Sequence, residues 1–149
     1  MIRLSRLLGA ALIAAAPALP LHAGDTGPSV AISFSDAALG LLSAKGESVI
    51  VWAYYAGDPV EGAEVPLTDE GLVFLGEETL RITPADQIVH FAAKIAGPVE
   101  SVAEPLVNVA VWSGREAAEF NLLDCSMIDA SLREIAENRP TILCGVVGQ

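Results

Sequence analysis

The chain has 149 residues, 52% of them apolar, with 19 acidic against 8 basic side chains and a formal net charge of −11. That length holds one domain, and so high an apolar fraction excludes a disordered acidic tail, which needs low hydrophobicity beside its charge. The negative balance argues against nucleic acid, whose binding requires cations to displace phosphate counterions, and against adhesion to an anionic bilayer surface.

Residues 1–23 read as a signal peptide. Arg3 and Arg6 form a positive start, residues 7–16 are apolar apart from Gly9, Pro17 and Pro20 break the helix, and Ala23 places a small residue at the cleavage point. The apolar run is shorter than the roughly 20 residues a spanning helix needs. No cysteine follows it for lipid attachment, and the two arginines are not adjacent, so a twin-arginine signal is also unsupported. The expectation is a periplasmic or secreted protein with no membrane anchor after cleavage. Residues 24–149 would then form a single globular domain.

Residues 24–29 are polar, and residues 30–34 alternate as a short strand. Ser35 is the N-cap of a helix over residues 36–45, with Asp36 in its first turn, Lys45 in its last and Gly46 behind it. Ala38, Leu41 and Leu42 form its buried stripe. Residues 48–56 are the strongest strand, β-branched and aromatic, and apolar on both faces, which suits a central strand covered on both sides. Residues 57–71 are turns around an extended piece at 63–67. Strands are expected at 71–76, 78–82, 87–95 and 106–112, with a further one at 118–123.

The tail reads as a helix capped by Ser126 and running to Asn138, followed by a strand over 141–147. Ile128, Leu132, Ile135 and Ala136 lie on one helical face, and Pro140 marks the stop. Cys125 and Cys144 are the only cysteines. In an oxidising compartment an even count reads as a disulfide, and their spacing excludes a CxxC redox pair. The expected fold is mainly β (α+β): an antiparallel β-sandwich with two short helices, the C-terminal one disulfide-linked to the last strand.

The stretch Gly57-Asp58-Pro59-Val60-Glu61-Gly62-Ala63-Glu64-Val65, followed by Thr68-Asp69-Glu70-Gly71-Leu72-Val73-Phe74, resembles a turn of carboxypeptidase-regulatory-like (transthyretin-like) and bacterial Ig-like β-sandwich modules. Proline presets one turn dihedral and glycines accept positive φ, while Ala63 and Val65 point inward. The resemblance covers residues 57–74 alone, and only Pro66 and Leu67 separate its two halves, closer than in the pattern. It implies a sandwich used for structure or binding and transfers no catalytic residue.

The chemistry-bearing inventory is thin. His90 is the one histidine of residues 24–149, so there is no histidine cluster for zinc and no HExxH. No G-x-S-x-G elbow, P-loop, dinucleotide-binding glycine motif or EF-hand pattern occurs. No catalytic residue, metal or cofactor is assigned. The carboxylates at Asp58/Glu61/Glu64, Asp69/Glu70, Glu77/Glu78 and Glu116/Glu119 read as solvated acidic surface. A small carboxylate-based extracytoplasmic hydrolase is the alternative, and it would need two of them to converge in a cleft.

The remaining route to function is aromatic. Trp52 and Tyr54 share one face of their strand with Ile50, opposite Val49, Val51, Ala53 and Tyr55. A place in the core is their simpler account; an open face would make them a stacking platform. Trp112, at a strand end, is the expected exposed aromatic, with Arg115 beside it to engage a carboxylate. These features lead to a non-catalytic exported module that binds a protein or cell-envelope component, of positive charge given the acidity of the chain. An inhibitor of a basic secreted enzyme is one version. Mass spectrometry of the secreted protein is expected to show loss of residues 1–23 and of two hydrogens from the thiols; an intact amino terminus with two free thiols would contradict both readings.

Overall fold

The computed structural model describes residues 28–149; the expected signal peptide lies outside them. Eight strands form two four-stranded sheets packed face to face. One sheet has the order β4-β1-β8-β6, from β1 (Ser29–Phe34), β4 (Gln87–His90), β6 (Leu123–Cys125) and β8 (Thr141–Val146). The other has the order β3-β2-β5-β7, from β2 (Val49–Gly57), β3 (Val73–Ile82), β5 (Leu106–Ser113) and β7 (Ile128–Ser131). We call them the first and second sheet. The β-sandwich with two helices is as expected, with one departure: β1 and β8, side by side at the centre of the first sheet, run parallel.

Alternation along the strands builds the core. Val49, Val51, Ala53 and Tyr55 of β2 and Val107, Val109 and Val111 of β5 face inward, meeting Val30 and Ile32 of β1 and Ile142 of β8. Each such side chain contributes about 1.5–3 kcal/mol relative to an exposed position. Helix α1 (Asp36–Lys45) has the boundaries its punctuation predicts. The Ser35 hydroxyl accepts the Ala38 N–H at 3.1 Å, and Gly46, at φ 67°, turns its own N–H back onto Leu42 and Ser43. Ala38 and Leu42 insert into the core, and the helix packs against β8.

The structure departs from the expected elements in four places, each for a physical reason. The strands expected at 71–76 and 78–82 are one strand, β3, bent by a bulge where Tyr55 pairs with Gly76 and Ala56 with Phe74. Gly76 has φ 152°, and a β-carbon there would run into the Lys94 carbonyl. β4 stops at His90 instead of reaching residue 95. Beyond it, the N–H groups of Ala92 and Ala93 turn to the buried carboxylate of Glu78 at 3.1 and 3.0 Å. Residues 114–122 form no strand, because Glu47 accepts the N–H groups of Glu116, Ala117 and Ala118 at 2.8–2.9 Å.

The fourth difference is in the tail. Helix α2 (Leu132–Asn138) begins at the second of two serines: Ser131 accepts the Glu134 N–H at 3.1 Å, and residues 128–131 pair with β5 as β7. Ser126 instead accepts the Leu143 N–H at 3.0 Å. The Cys125–Cys144 disulfide forms with β8, the last strand, at one end. Its other end is β6 rather than the first turn of the helix. The two residues are direct cross-strand partners with Cα atoms 4.1 Å apart, so the bridge ties neighbouring strands and has no end on α2.

Between the two cysteines the chain leaves the first sheet, adds β7 to the second, forms α2 and returns. The disulfide therefore closes the base of this excursion. Such a bridge fits an oxidising compartment, and among the described residues no helix is long and apolar enough to cross a membrane. Replacing the pair (Cys125→Ala with Cys144→Ala) is expected to lower stability by about 2–4 kcal/mol in urea unfolding; coincident midpoints for the variant and the native protein would overturn this role.

Candidate functional site

The outward face of the second sheet departs from the usual rule of apolar residues inside and polar residues outside. Strand pairing arranges its side chains in rows. Arg81, Ile50 and Trp112 form one row, and Thr79, Trp52 and Ala110 the next. Glu77, Tyr54, Asn108 and Asp129 follow, and then Phe74, Ala56, Leu106 and Ser131. Neither helix lies over this face, so the expectation that β2 is covered on both sides is corrected. Ile50 and Ala56 are screened by their neighbours, but Trp52 and Tyr54 are half-buried.

An aromatic strip runs obliquely across the rows. The ring centroids of Trp112 and Trp52 lie 6.4 Å apart, those of Trp52 and Tyr54 5.4 Å, and those of Tyr54 and Phe74 5.4 Å. The ring planes are tilted by 40–55°, between the stacked and the edge-to-face arrangements. Phe74, the outermost ring, is 44% exposed. The Trp52 indole N–H donates to Glu77 at 3.0 Å and so fixes that ring on the sheet.

The chain between β2 and β3 then turns the middle of this face into a groove. Thr68 holds its turn, accepting the Leu72 N–H at its hydroxyl at 3.2 Å. Leu72 and Glu70 line the groove beside Trp52, Tyr54, Asn108 and Asp129, and the hollow continues over Ala56 and Leu106. Partial burial, then the carboxylates of Glu70 and Glu77, push the Tyr54 hydroxyl above its ordinary pKa, so it is a neutral phenol at physiological pH. Among the described residues no basic side chain lines the groove.

Three of the four aromatic and basic residues singled out from the sequence come together here: Trp52, Tyr54 and Trp112. Arg115 does not. It is exposed on the turn after β5, at φ 60°, outside the groove. His90 is exposed on β4, opposite Ser29. The carboxylate pairs also separate. Glu77 faces outward to Trp52, whereas Glu78 faces inward, accepting the Tyr55 O–H and two backbone N–H groups. Burial and this bond raise the Tyr55 pKa. Glu116 meets Ser48 and Arg81 at the surface.

Phe74, Leu72, Asn108 and Asp129 are added by the structure. Asn108 was readable, since Leu106, Asn108, Ala110 and Trp112 alternate with three inward valines. Asp129 was hidden by the helix expected over its segment. A second hollow, between the ends of β1 and β8, is lined by Ser33, Phe34, Ser35, Leu143, Cys144 and Gly145. It holds no titratable side chain, and we assign it no role. Among the described residues no group of histidine, cysteine or carboxylate side chains is placed to hold a metal ion.

The adjacent tyrosines should respond oppositely to loss of the hydroxyl. Tyr55→Phe takes a donor from a buried carboxylate and is expected to cost about 1–3 kcal/mol, whereas Tyr54→Phe should stay within about 0.5 kcal/mol. Urea unfolding measures both, and equal costs would mean the two faces are misassigned. No protein-family model matches this chain, and no curated protein or solved structure matches it either.

Proposed function

We propose that the protein is a non-catalytic, exported binding module and that the outward face of the second sheet is its recognition surface. The observation that carries this reading is the strip of four aromatic rings on a sheet face that neither helix covers. Burial of apolar area is the main driving force of folding and association, and the part of these rings that stays outside adds nothing to the sheet's own stability. Tryptophan and tyrosine are also the side chains that most often dominate binding energy at interfaces. They stand here on the central strand β2 and its neighbour β5, so a partner meets rings already held in place.

Export to the periplasm or the exterior is supported by the character of residues 1–23 and by the disulfide. The resemblance of residues 57–74 to transthyretin-like modules supports the same reading. That segment supplies Glu70 and Leu72 to the groove. A chain of net charge −11 steers positively charged partners toward itself, which favours a cationic protein or envelope component as ligand.

The test compares the secreted protein with a Trp52→Ala, Tyr54→Ala variant that keeps its far-ultraviolet circular dichroism. Both are immobilised and exposed to cell-envelope extract at low and at high salt. The native protein is expected to retain a component at low salt that the variant releases. Equal retention by the two proteins, or none by either, would overturn the assignment.

A further inference from the structure

The groups around the groove are of one electrostatic kind, and this deepens the reading of the face as a binding surface, on which it rests. The carboxylates of Glu70, Glu77 and Asp129 offer hydrogen-bond acceptors. The faces of Trp52 and Tyr54 are the negative poles of their ring quadrupoles. Donors are confined to the Asn108 amide and the Tyr54 hydroxyl, because the Trp52 N–H is already given to Glu77. The hydroxyls of a neutral sugar both donate and accept, so they would find few donors here. A metal ion needs several ligands converging on one point, and among the described residues none do.

A ligand that only donates, carries positive charge and has a flat face fits every one of these groups. The guanidinium of arginine is such a group: five N–H donors in one plane, no acceptor, a permanent charge and a face that stacks on aromatic rings. Its aliphatic stem would cross Leu72. The rings also extend past the groove in both directions, to Trp112 and to Phe74. A single small cation would leave most of the strip bare, whereas a peptide segment lying along it covers both ends.

We propose that this face docks an exposed, arginine-bearing segment of a basic partner protein, with one guanidinium stacked on Trp52 and Tyr54 and donating to the carboxylates of Glu70 and Asp129. Charge complementarity identifies the occupant: the carboxylates of Glu70 and Asp129 line the groove, Glu77 stands beside Trp52, and among the described residues no basic side chain lines it, in a chain of net charge −11. Arg81, in the Trp112 row, is taken up by Glu116.

Trp52 and Trp112 are the only tryptophans of the chain, and both belong to the strip, so intrinsic fluorescence reports on this face directly. The secreted protein is titrated with a synthetic hexapeptide of alternating arginine and valine. Three further titrations use its citrulline counterpart, its lysine counterpart and chitohexaose. The arginine peptide is expected to change the emission saturably, and replacement by citrulline, which keeps the shape and removes the charge, to weaken binding about tenfold or more. The lysine peptide should fall between them. Glu70→Gln and Asp129→Asn should each weaken the arginine peptide about fivefold or more with unchanged unfolding midpoints.

Equal binding of arginine and citrulline peptides, or no emission change with either, would overturn the proposal. So would an arginine peptide indifferent to both carboxylate variants. Chitohexaose binding that depends on Trp52 but not on Glu70 or Asp129 would overturn the arginine assignment and leave the binding face standing. Equal envelope retention by the native protein and the double variant in the preceding test, or retention by neither, would by contrast remove the face itself.

Discussion

Only the connection from β2 to β3 stays within one sheet; every other link between consecutive strands carries the chain across to the opposite sheet. A crossing segment has no ladder partner, yet its backbone groups must still be satisfied where they are buried. Glutamates at the sandwich margin do this. Glu47 gathers three successive N–H groups of the β5–β6 crossing. Glu78 gathers two from the β4–β5 crossing together with the Tyr55 hydroxyl. A buried carboxylate is costly unless fully hydrogen-bonded, and bonds to ionised acceptors are the stronger kind. Each of these two carboxyl groups accepts three hydrogen bonds. Among the described residues no buried side-chain polar atom lacks a partner.

These ties also explain the shape of the edge strand β3. With Glu78 turned inward and the Ala96 and Gly97 N–H groups donating to the Leu75 carbonyl, the segment after β4 lies along the bulged half of β3. An inward charge, a bulge and a covering loop are familiar means of keeping a sheet edge from pairing with another chain. The helices are used elsewhere, α1 against β8 and α2 against β7 and β1. The second sheet's outer face is thus left to the β2–β3 connection alone, and the exposure of the aromatic strip follows from that distribution.

Elements with their signals inside one short window were legible in the sequence. β1, β2, β5 and β8 follow from apolar runs and alternation, and α1 from a serine, a lysine and a glycine in the right places. What was not legible depends on distant partners. Residues 91–95 look like strand until Glu78 withdraws the N–H groups of Ala92 and Ala93. Residues 71–82 look like two strands until Lys94 approaches Gly76. In the tail two serines compete as caps, and the Ser131-Leu132-Arg133-Glu134 run, a capping box, prevails because Ser126 is drawn to Leu143. The site divides in the same way. That Trp52 and Tyr54 share a face is a matter of period two, but whether anything covers that face is a property of the whole topology. Phe74 joins them only because the bulge resets its side of the sheet.

The position of the last strand has its own consequence. β8 holds a central place in the first sheet, hydrogen-bonded between β1 from the opposite end of the chain and β6. No amino-terminal fragment can therefore complete that sheet, and the sandwich cannot close while residues 141–146 are still being synthesised or threaded. Pairing of β1 with β8 thus makes the first sheet's assembly wait on a strand more than a hundred residues downstream, so the sandwich closes as one cooperative unit rather than in chain order.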